Sequence, residues 1–458
     1  MTFLRWVSGL RWHGLHWTPA RVITLVFAAM ILSGAIVLRL PVAGRGDQPV
    51  SFLTALFTST SAVCVTGLVV VDTGTRYSTF GHFVIGLLIQ MGGLGITSAA
   101  SIALLMGRRI TLRERILLRE SLNQETLQGI VRLTRNILLI TFGVELTGAL
   151  LLAMRFVPLW GWRAGIGRAL FHSVSAFNNA GLDLFGGFRS LTIFARDPFV
   201  LLVIASLLIV GGIGFPVILD VWHWVRRRRE GAHLNLHSFT ALTVTAGLLL
   251  GGTVAILLME WNNPATLGSL PWSGRVLNAF FQAATPRTAG FNSVLIGSLH
   301  QGTLLLIIIL MYIGASPAST GGGIKTTTWA AVSLGIWSTI RGHSDVNVRG
   351  RRLEVGLWER AATLAVLALG WVVVVTGVLT FTEHDRFTLL QLLFETTSAF
   401  GTVGLSTGIT PELSPAGQLL IILTMFFGRV GPLTVATALA ARMRQADIRY
   451  PEDRVLIG

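Results

Sequence analysis

The sequence has little charge, one cysteine and one lysine. Only 12% of its 458 residues are charged, whereas a soluble protein usually carries about twice that fraction. Because Cys64 is the single cysteine, an intrachain disulfide is excluded, and Lys325 is the single lysine. The sequence also lacks a Walker motif, a strand-linked Gly-x-Gly-x-x-Gly, a supported Ser/His/Asp arrangement and histidines at metal-ligand spacing. We therefore expect no enzyme activity and no bound cofactor or metal centre.

Long apolar stretches fill most of the chain, whose mean hydropathy is +0.68. They are Val22–Leu38, Phe80–Met106, Ile137–Met154, Phe199–Val225, Leu236–Met259, Thr303–Ile340, Ala361–Thr382 and Ala416–Ala441. Four contain no charge, and the other four contain one each: Glu145, Asp220, Lys325 and Arg429. A membrane-spanning helix needs about 17–25 mostly apolar residues. The pattern predicts an all-α, polytopic membrane protein with eight spans.

The excess of basic residues behind the net charge of +15 is distributed unequally among the loops between these stretches. Loops on the side of the N-terminus contain 23 basic and 10 acidic residues, against 9 and 8 on the opposite side. This asymmetry follows the positive-inside rule and predicts a multi-pass protein of the cytoplasmic membrane with both termini in the cytoplasm. It argues against nucleic-acid binding. Tryptophans and arginines in residues 1–20 predict an interfacial helix rather than a cleaved signal peptide.

An internal repeat places a phenylalanine ten residues before a glycine four times. The segments are Phe57–Gly67, Phe171–Gly181, Phe280–Gly290 and Phe394–Gly404, with glycine-to-glycine intervals of 114, 109 and 114 residues. Each lies between two predicted spans. This pattern divides the chain into an N-terminal segment 1–20, repeats 21–110, 111–230, 231–345 and 346–445, and a tail 446–458. Tight helix packing through small residues is the alternative interpretation of the glycines.

The stretch before each glycine has room for about two helical turns, too few to cross a membrane. It must enter and return, and non-helical backbone survives at membrane depth only inside protein or beside water. Four such loops around one axis can present rings of carbonyl oxygens to an ion, with the short helices directing their negative ends inward. We therefore predict four tandem helix–pore-loop–helix repeats with pseudo-fourfold symmetry.

Thr402-Val403-Gly404 matches the Thr-Val-Gly of potassium-channel filters, although Leu405-Ser406 replaces the Tyr-Gly that follows there. Together with the four repeats, this sequence resembles the Trk/Ktr/HKT superfamily of potassium transporters over Val22–Ala441. Its size makes it more similar to the KtrB branch than to the longer TrkH proteins.

The resemblance implies potassium uptake, with potassium ions held at the filter. The implied filter residues are Val65, Thr66, Gly67, Asn179, Ala180, Gly181, Thr288, Ala289, Gly290, Thr402, Val403 and Gly404. Sodium-preferring plant relatives carry serine at the first filter glycine, so Gly67 favours potassium. A sodium-preferring or sodium-coupled cation transporter of the same family is the nearest alternative. A secondary transporter of another solute and a non-transporting scaffold are more distant ones.

The resemblance also implies a gate where Gly, Ser and Pro interrupt the sixth apolar stretch. The implied gate residues are Gly314, Ala315, Ser316, Ser319, Thr320, Gly321, Gly322, Gly323, Lys325 and Arg429. A kinked, tightly packed helix is the alternative. Arg429 either acts beside the ion path, as a barrier or by pairing with the loop, or is a structural cation bound to Glu145 or backbone carbonyls. Lys325 either fixes the closed loop or extends to the interface.

The family further implies a homodimer and a cytosolic nucleotide-binding regulatory subunit similar to KtrA or TrkA. The basic segments Arg108–Arg119, Arg226–Arg229 and Arg349–Arg352 are either its docking surface or determinants of topology only. Glu145 is either a coupling-ion ligand or a structural partner of a buried group. Three acids near the predicted outer mouths, Asp72, Asp183 and Glu412, either attract cations or are simply solvated.

Overall fold

The computed structural model describes residues 19–46, 49–95, 110–121, 128–227, 229, 231, 233–343, 345–384 and 386–442. The predicted tail 446–458 and nearly all of the predicted interfacial segment 1–20 lie outside these residues. Parts of two basic segments, Arg108–Arg119 and Arg226–Arg229, also lie outside them.

The described part of the chain is mostly helical. The helices of the first half are α1 (Pro19–Leu38), α2 (Phe52–Val63), α3 (Thr79–Leu94), α4 (Leu112–Ser121), α5 (Ile130–Phe177), α6 (Pro198–Ile213) and α7 (Phe215–Arg227). Those of the second half are α8 (Leu236–Glu260), α9 (Trp272–Ala284), α10 (Gln301–Tyr312), α11 (Thr326–Ile340), α12 (Leu357–Thr382), α13 (Leu389–Gly401) and α14 (Pro415–Arg442). A two-stranded hairpin, β1 (Asn347–Val348) with β2 (Arg351–Arg352), separates α11 from α12. Short turns of helix occur at Pro41–Ala43, Thr73–Arg76, Ser190–Phe194, Ile296–Ser298 and Thr410–Glu412.

The first helix of each repeat can cross a membrane by its length and composition. These helices are α1, the first part of α5, α8 and α12. The second helices are not simple spans: α3 has 16 residues, α6 and α7 meet at a bend of 99°, and residues 313–325 separate α10 from α11. In α14 the apolar stretch that the structure describes is Pro415–Gly431. The predicted all-α membrane fold is confirmed, but the second helices are less regular than eight uniform spans.

Each repeat also contains a shorter helix that ends before its repeat glycine. These pore helices are α2, the part of α5 after its break at Gly161, α9 and α13. Three of them have 12 or 13 residues, so they are longer than the predicted two turns. Local chemistry fixes their starts: Ser51 caps α2, and Thr388 forms a capping box with Gln391 in α13.

Close packing of backbone on backbone joins the second helix of three repeats to the end of its pore helix. A Cβ atom on Gly92, Gly211 or Gly428 would collide with the carbonyl oxygen of Val63, Phe177 or Phe400, respectively. Each carbonyl belongs to the residue four positions before the repeat glycine, so the contact recurs in register. Only glycine allows this approach.

The repeat phenylalanines form part of the core around these contacts. Phe57 and Phe394 are completely buried and Phe171 is 7% exposed, as a structural role predicts. In the third repeat the completely buried ring is Phe281, whereas the predicted Phe280 is only half-buried. In this repeat α9 ends at Ala284, six residues before the glycine, whereas the pore helices of the other repeats end three or four residues before theirs.

Candidate functional site

Four glycines from the four repeats form a closed ring. A Cβ atom on Gly67 would lie 2.6 Å from the oxygen of Ala180, and one on Gly181 would lie 2.8 Å from the oxygen of Ala289. Continuing around, a Cβ on Gly290 would collide with the oxygen of Val403, and one on Gly404 with the oxygen of Thr66. Each glycine therefore contacts the carbonyl that precedes the next glycine, and the fourth returns to the first.

The same backbone conformation recurs at all four corners of the ring. The repeat glycines have positive φ angles of 95°, 65°, 78° and 93° in chain order. Two positions earlier, four residues of three different types also have positive φ: Val65, Asn179, Thr288 and Thr402, at 50°, 58°, 70° and 49°. A non-glycine residue in this region costs about 1–3 kcal/mol and persists only when its surroundings enforce it. The packing of the ring therefore imposes this conformation, and the type of side chain does not determine it.

Hydrogen bonds from the backbone just before each repeat glycine return to the pore helices. The N–H groups of Thr66, Ala180 and Val403 each donate to a carbonyl five residues earlier at 2.8 Å, and that of Ala289 donates to Thr285 at 2.9 Å. Because the N–H groups are used on the helix side, the carbonyls of these segments are the groups available to the ring. A ring of carbonyls at the ends of helix dipoles can replace the hydration shell of a cation.

Residues 313–325 lie against one side of this ring, which we call the loop side. The N–H of Gly322 donates to the hydroxyl of Thr402 at 3.1 Å. A Cβ atom on Gly321 would collide with the hydroxyl of Thr288, so the loop also contacts the segment before Gly290 in its own repeat. The N–H of Gly314 bonds the carbonyl of Ile324 at 2.8 Å, which closes the base of the loop.

The polar residues of the loop form hydrogen bonds within the loop and to backbone carbonyls of the second repeat. The hydroxyl of Thr320 donates to the carbonyls of Phe177 and Gly211, both at 3.2 Å. Ser316 donates its N–H to Gly212 at 3.0 Å, and Ser319 donates its hydroxyl to the carbonyl of Ser316 at 2.6 Å. The remaining predicted gate residues follow the same path: Ala315 is completely buried, and Gly323 has a positive φ of 66°.

Two cations bind consecutive carbonyls of the loop. Lys325 donates to the oxygen of Gly321 at 2.7 Å. Arg429 donates to the oxygen of Thr320 and, through its other terminal nitrogen, to Gly92 at 2.7 Å and Gly93 at 3.3 Å. Arg429 thus pairs with the loop and with backbone carbonyls at once.

Glu145 is not the partner of Arg429. Its carboxylate accepts from the side-chain amide of Asn178 at 2.9 Å, and the same amide group donates to Gln90, also at 2.9 Å. Asn178 is the third residue before Gly181, so Glu145 holds the chain that leads to this glycine. The alternative that paired Arg429 with Glu145 is wrong, because the carboxylate binds Asn178 whereas Arg429 binds backbone carbonyls of the loop and of α3.

Two of the three predicted mouth acids lie on the opposite side of the ring, which we call the far side. Asp72 and Asp183 line a small cavity together with Gly67 and Gly181. Burial, with a smaller contribution from the nearby Asp72, raises the pKa of the half-buried Asp183 to about 6, although the N–H of Phe185 donates to its carboxylate and lowers the pKa. Glu412 is exposed. Within the described residues, no group of three His, Cys, Asp or Glu side chains could hold a metal ion.

Glu395 lies within the repeat segment of α13, yet the sequence patterns assigned it no role. It is completely buried and hydrogen-bonded to the chain beyond Gly404. An acid inside a short, otherwise uncharged pore helix is the signal that could have identified it.

These features define a multi-pass, all-α membrane protein in which four glycine-bearing segments meet in a ring of backbone contacts. The model of the family described as TrkH, cation transport protein, matches residues 16–449. The chain belongs to this family, as its resemblance to the Trk and Ktr proteins predicted.

Individual relatives align over nearly the whole chain. The Ktr system potassium uptake protein B of Bacillus subtilis (strain 168) is 42% identical over 450 residues, which cover 98% of each chain. The protein of the same name from Vibrio alginolyticus is 42% identical over 442 residues, covering 96% of this chain and 94% of its own. The potassium/sodium uptake protein NtpJ of Enterococcus hirae is 38% identical and covers 96% and 97%. The crystal structure of the potassium transporter TrkH from Vibrio parahaemolyticus has the same fold, with a TM-score of 0.71 at 17% identity, covering 96% and 88%.

Proposed function

We propose that this protein takes up potassium ions across the cytoplasmic membrane, with both termini in the cytoplasm. The ions pass through the ring of Gly67, Gly181, Gly290 and Gly404, bound by carbonyls of the two residues before each glycine. The closed ring of backbone contacts carries this proposal. Two relatives at 42% identity are named as potassium uptake proteins, which supports potassium as the ion.

Residues 313–325 are the gate in this proposal. The loop lies across the loop side of the ring and contacts Thr288 and Thr402 from two different repeats. Its hydrogen bonds are made mainly to single carbonyls and hydroxyls, which can be exchanged for water when the loop moves. Lys325 and Arg429 stabilise the closed position because each binds a loop carbonyl.

A regulatory partner and a second copy of the chain complete the proposal. The two relatives above are named as protein B of a Ktr system, which supports a partner protein. We propose a homodimer with a cytosolic nucleotide-binding subunit. The described basic residues at Arg349–Arg352 are its proposed contact, since Arg351 and Arg352 are exposed on the hairpin between α11 and α12.

Growth rescue of a bacterium that lacks potassium uptake tests the function at micromolar potassium, with and without sodium and with and without a regulatory subunit. Rescue that requires the chain supports the proposal. Failure of a well-expressed chain under all conditions contradicts it.

Sodium-driven or sodium-selective uptake is the second candidate, because the relative NtpJ is named a potassium/sodium uptake protein. Replacing potassium by sodium in flux measurements separates the two.

A further inference from the structure

One position of the pore helix contacts the chain on the far side of the ring in three of the four repeats. It is the ninth residue before the repeat glycine, and it is occupied by Thr58, His172, Phe281 and Glu395. All four are buried. The hydroxyl of Thr58 accepts from Tyr77 at 3.0 Å, and the ring of His172 accepts from the N–H of Leu184 at 3.2 Å. The position therefore anchors far-side residues in three repeats, through three different polar groups.

In the fourth repeat this anchor is a carboxylate with several donors. Glu395 accepts from the hydroxyl of Ser406, from the N–H of Thr407 at 3.2 Å and from the hydroxyl of Thr410 at 3.0 Å. Ser406 also accepts from the N–H of Gly408 at 2.9 Å and from the hydroxyl of Thr410 at 2.9 Å. Every donor to Glu395 comes from the six residues that follow Gly404.

No basic side chain among the described residues pairs with Glu395. A buried carboxylate without a counter-ion depends on its hydrogen-bond donors, so its geometry and theirs are tightly linked. Ser406 is two residues from Gly404, whose backbone contacts Gly67 and Thr66 across the ring. Movement of the anchored segment is therefore transmitted to the ring within two peptide bonds.

We propose that Glu395 is a positioning residue for ion discrimination, which rests on the proposed function of the ring. Its hydrogen bonds hold residues 406–410, and so fix the chain where the fourth filter segment leaves the ring on the far side. Leu405-Ser406 stands here where potassium-channel filters have Tyr-Gly, and the link from Ser406 to Glu395 supplies the rigidity of this edge. Phe281 occupies the same position in the third repeat without a hydrogen bond, so the fourth quarter carries a constraint that the third does not.

Glu383 provides a matched control. It is also a buried glutamate, 1% exposed, and it accepts from the N–H and the hydroxyl of Ser414 at the start of α14. It thus joins the ends of two helices and does not contact the segment after Gly404. Glu395→Ala and Glu383→Ala remove comparable buried hydrogen bonds, but only the first releases the filter edge.

The test is the ratio of potassium to sodium uptake in proteoliposomes, measured with the KM for potassium and the amount of folded protein. We expect Glu395→Ala to lower the ratio about tenfold, the factor that corresponds to about 1.4 kcal/mol, and to raise the KM. Glu395→Gln keeps one accepting oxygen and should lose less. Glu383→Ala should keep the ratio of the unsubstituted protein, even where less protein accumulates.

An unchanged ratio in folded Glu395→Ala overturns the inference, as does an equal loss of ratio in Glu383→Ala. If Glu395→Ala does not accumulate, Ser406→Ala and Thr410→Val decide, because each removes one donor and leaves the acid in place. A lowered ratio in both supports the inference, and an unchanged ratio in both overturns it. Absence of potassium uptake by the unsubstituted protein would instead contradict the proposed function.

Discussion

A methyl group at the ring tests the carbonyl path directly. In Gly404→Ala the new Cβ would collide with the oxygen of Thr66 and lie 2.8 Å from the Cα of Gly67, well inside ordinary van der Waals contact. Overpacking of this kind costs about 1–3 kcal/mol. If the ring expands to accommodate the methyl group, this cost falls on ion binding and lowers potassium affinity by about five- to 150-fold.

The matched control is Gly46→Ala. Gly46 has the same φ of 93° as Gly404, but a Cβ there would have no neighbour within 4 Å. Both substitutions therefore place an alanine at the same positive φ, which costs about 1–2 kcal/mol, and only Gly404→Ala adds the collision. Concentration-dependent potassium uptake should show a raised KM for Gly404→Ala and an unchanged KM for Gly46→Ala. Equal KM values for the two variants, at equal amounts of folded protein, would refute the ring as the ion path.

Three further predictions concern the loop and the far-side acids. Arg429→Ala removes the hydrogen bonds to the loop and to Gly92, so the uptake rate without a regulatory subunit should rise about tenfold. An unchanged rate in well-folded protein would contradict the proposal that Arg429 stabilises the closed loop. Thr402→Val removes the hydroxyl that accepts from the Gly322 N–H and should raise the uptake rate about fivefold, whereas Thr402→Ser keeps this hydroxyl and should not. Equal rates for the two variants would contradict a role of this hydrogen bond in holding the loop closed. Because burial raises the pKa of Asp183 to about 6, acidification of the far side from about pH 7 to about pH 5 neutralises this carboxylate and should weaken potassium affinity. Asp183→Asn should show the weaker affinity at both pH values, and a full pH response in this variant would exclude Asp183 as its source.

The ring glycines were predictable because their geometry leaves a trace in residue type. A Cβ atom is excluded at each corner, so the same amino acid recurs at intervals of 114, 109 and 114 residues. The residues two positions earlier also have positive φ in all four repeats, but Val65, Asn179, Thr288 and Thr402 share no chemical property. Tertiary contacts impose their conformation, and no sequence pattern reports it.

The partners of the buried charges were not predictable for a related reason. A lone acid or base in an apolar stretch must find polar groups, but many carbonyls lie within reach of a long side chain. Arg429 was expected either to pair with the loop or to bind Glu145 or backbone carbonyls, and it binds Thr320 in the loop together with Gly92 and Gly93. The choice depends on which helices meet, and the sequence specifies that only through the packing of the whole chain.

The symmetric and asymmetric parts of this site have different physical requirements. The ring needs only glycines and backbone carbonyls, so divergent sequences can build four equivalent corners. The loop belongs to one repeat alone, yet it binds Phe177 of the second repeat and Thr402 of the fourth, and Arg429 links it to Gly92 of the first. A single polypeptide can place such unequal groups around a nearly fourfold path. It follows that substitutions in the ring should impair ion binding itself, whereas substitutions in the loop and its cations should change how often the path is open.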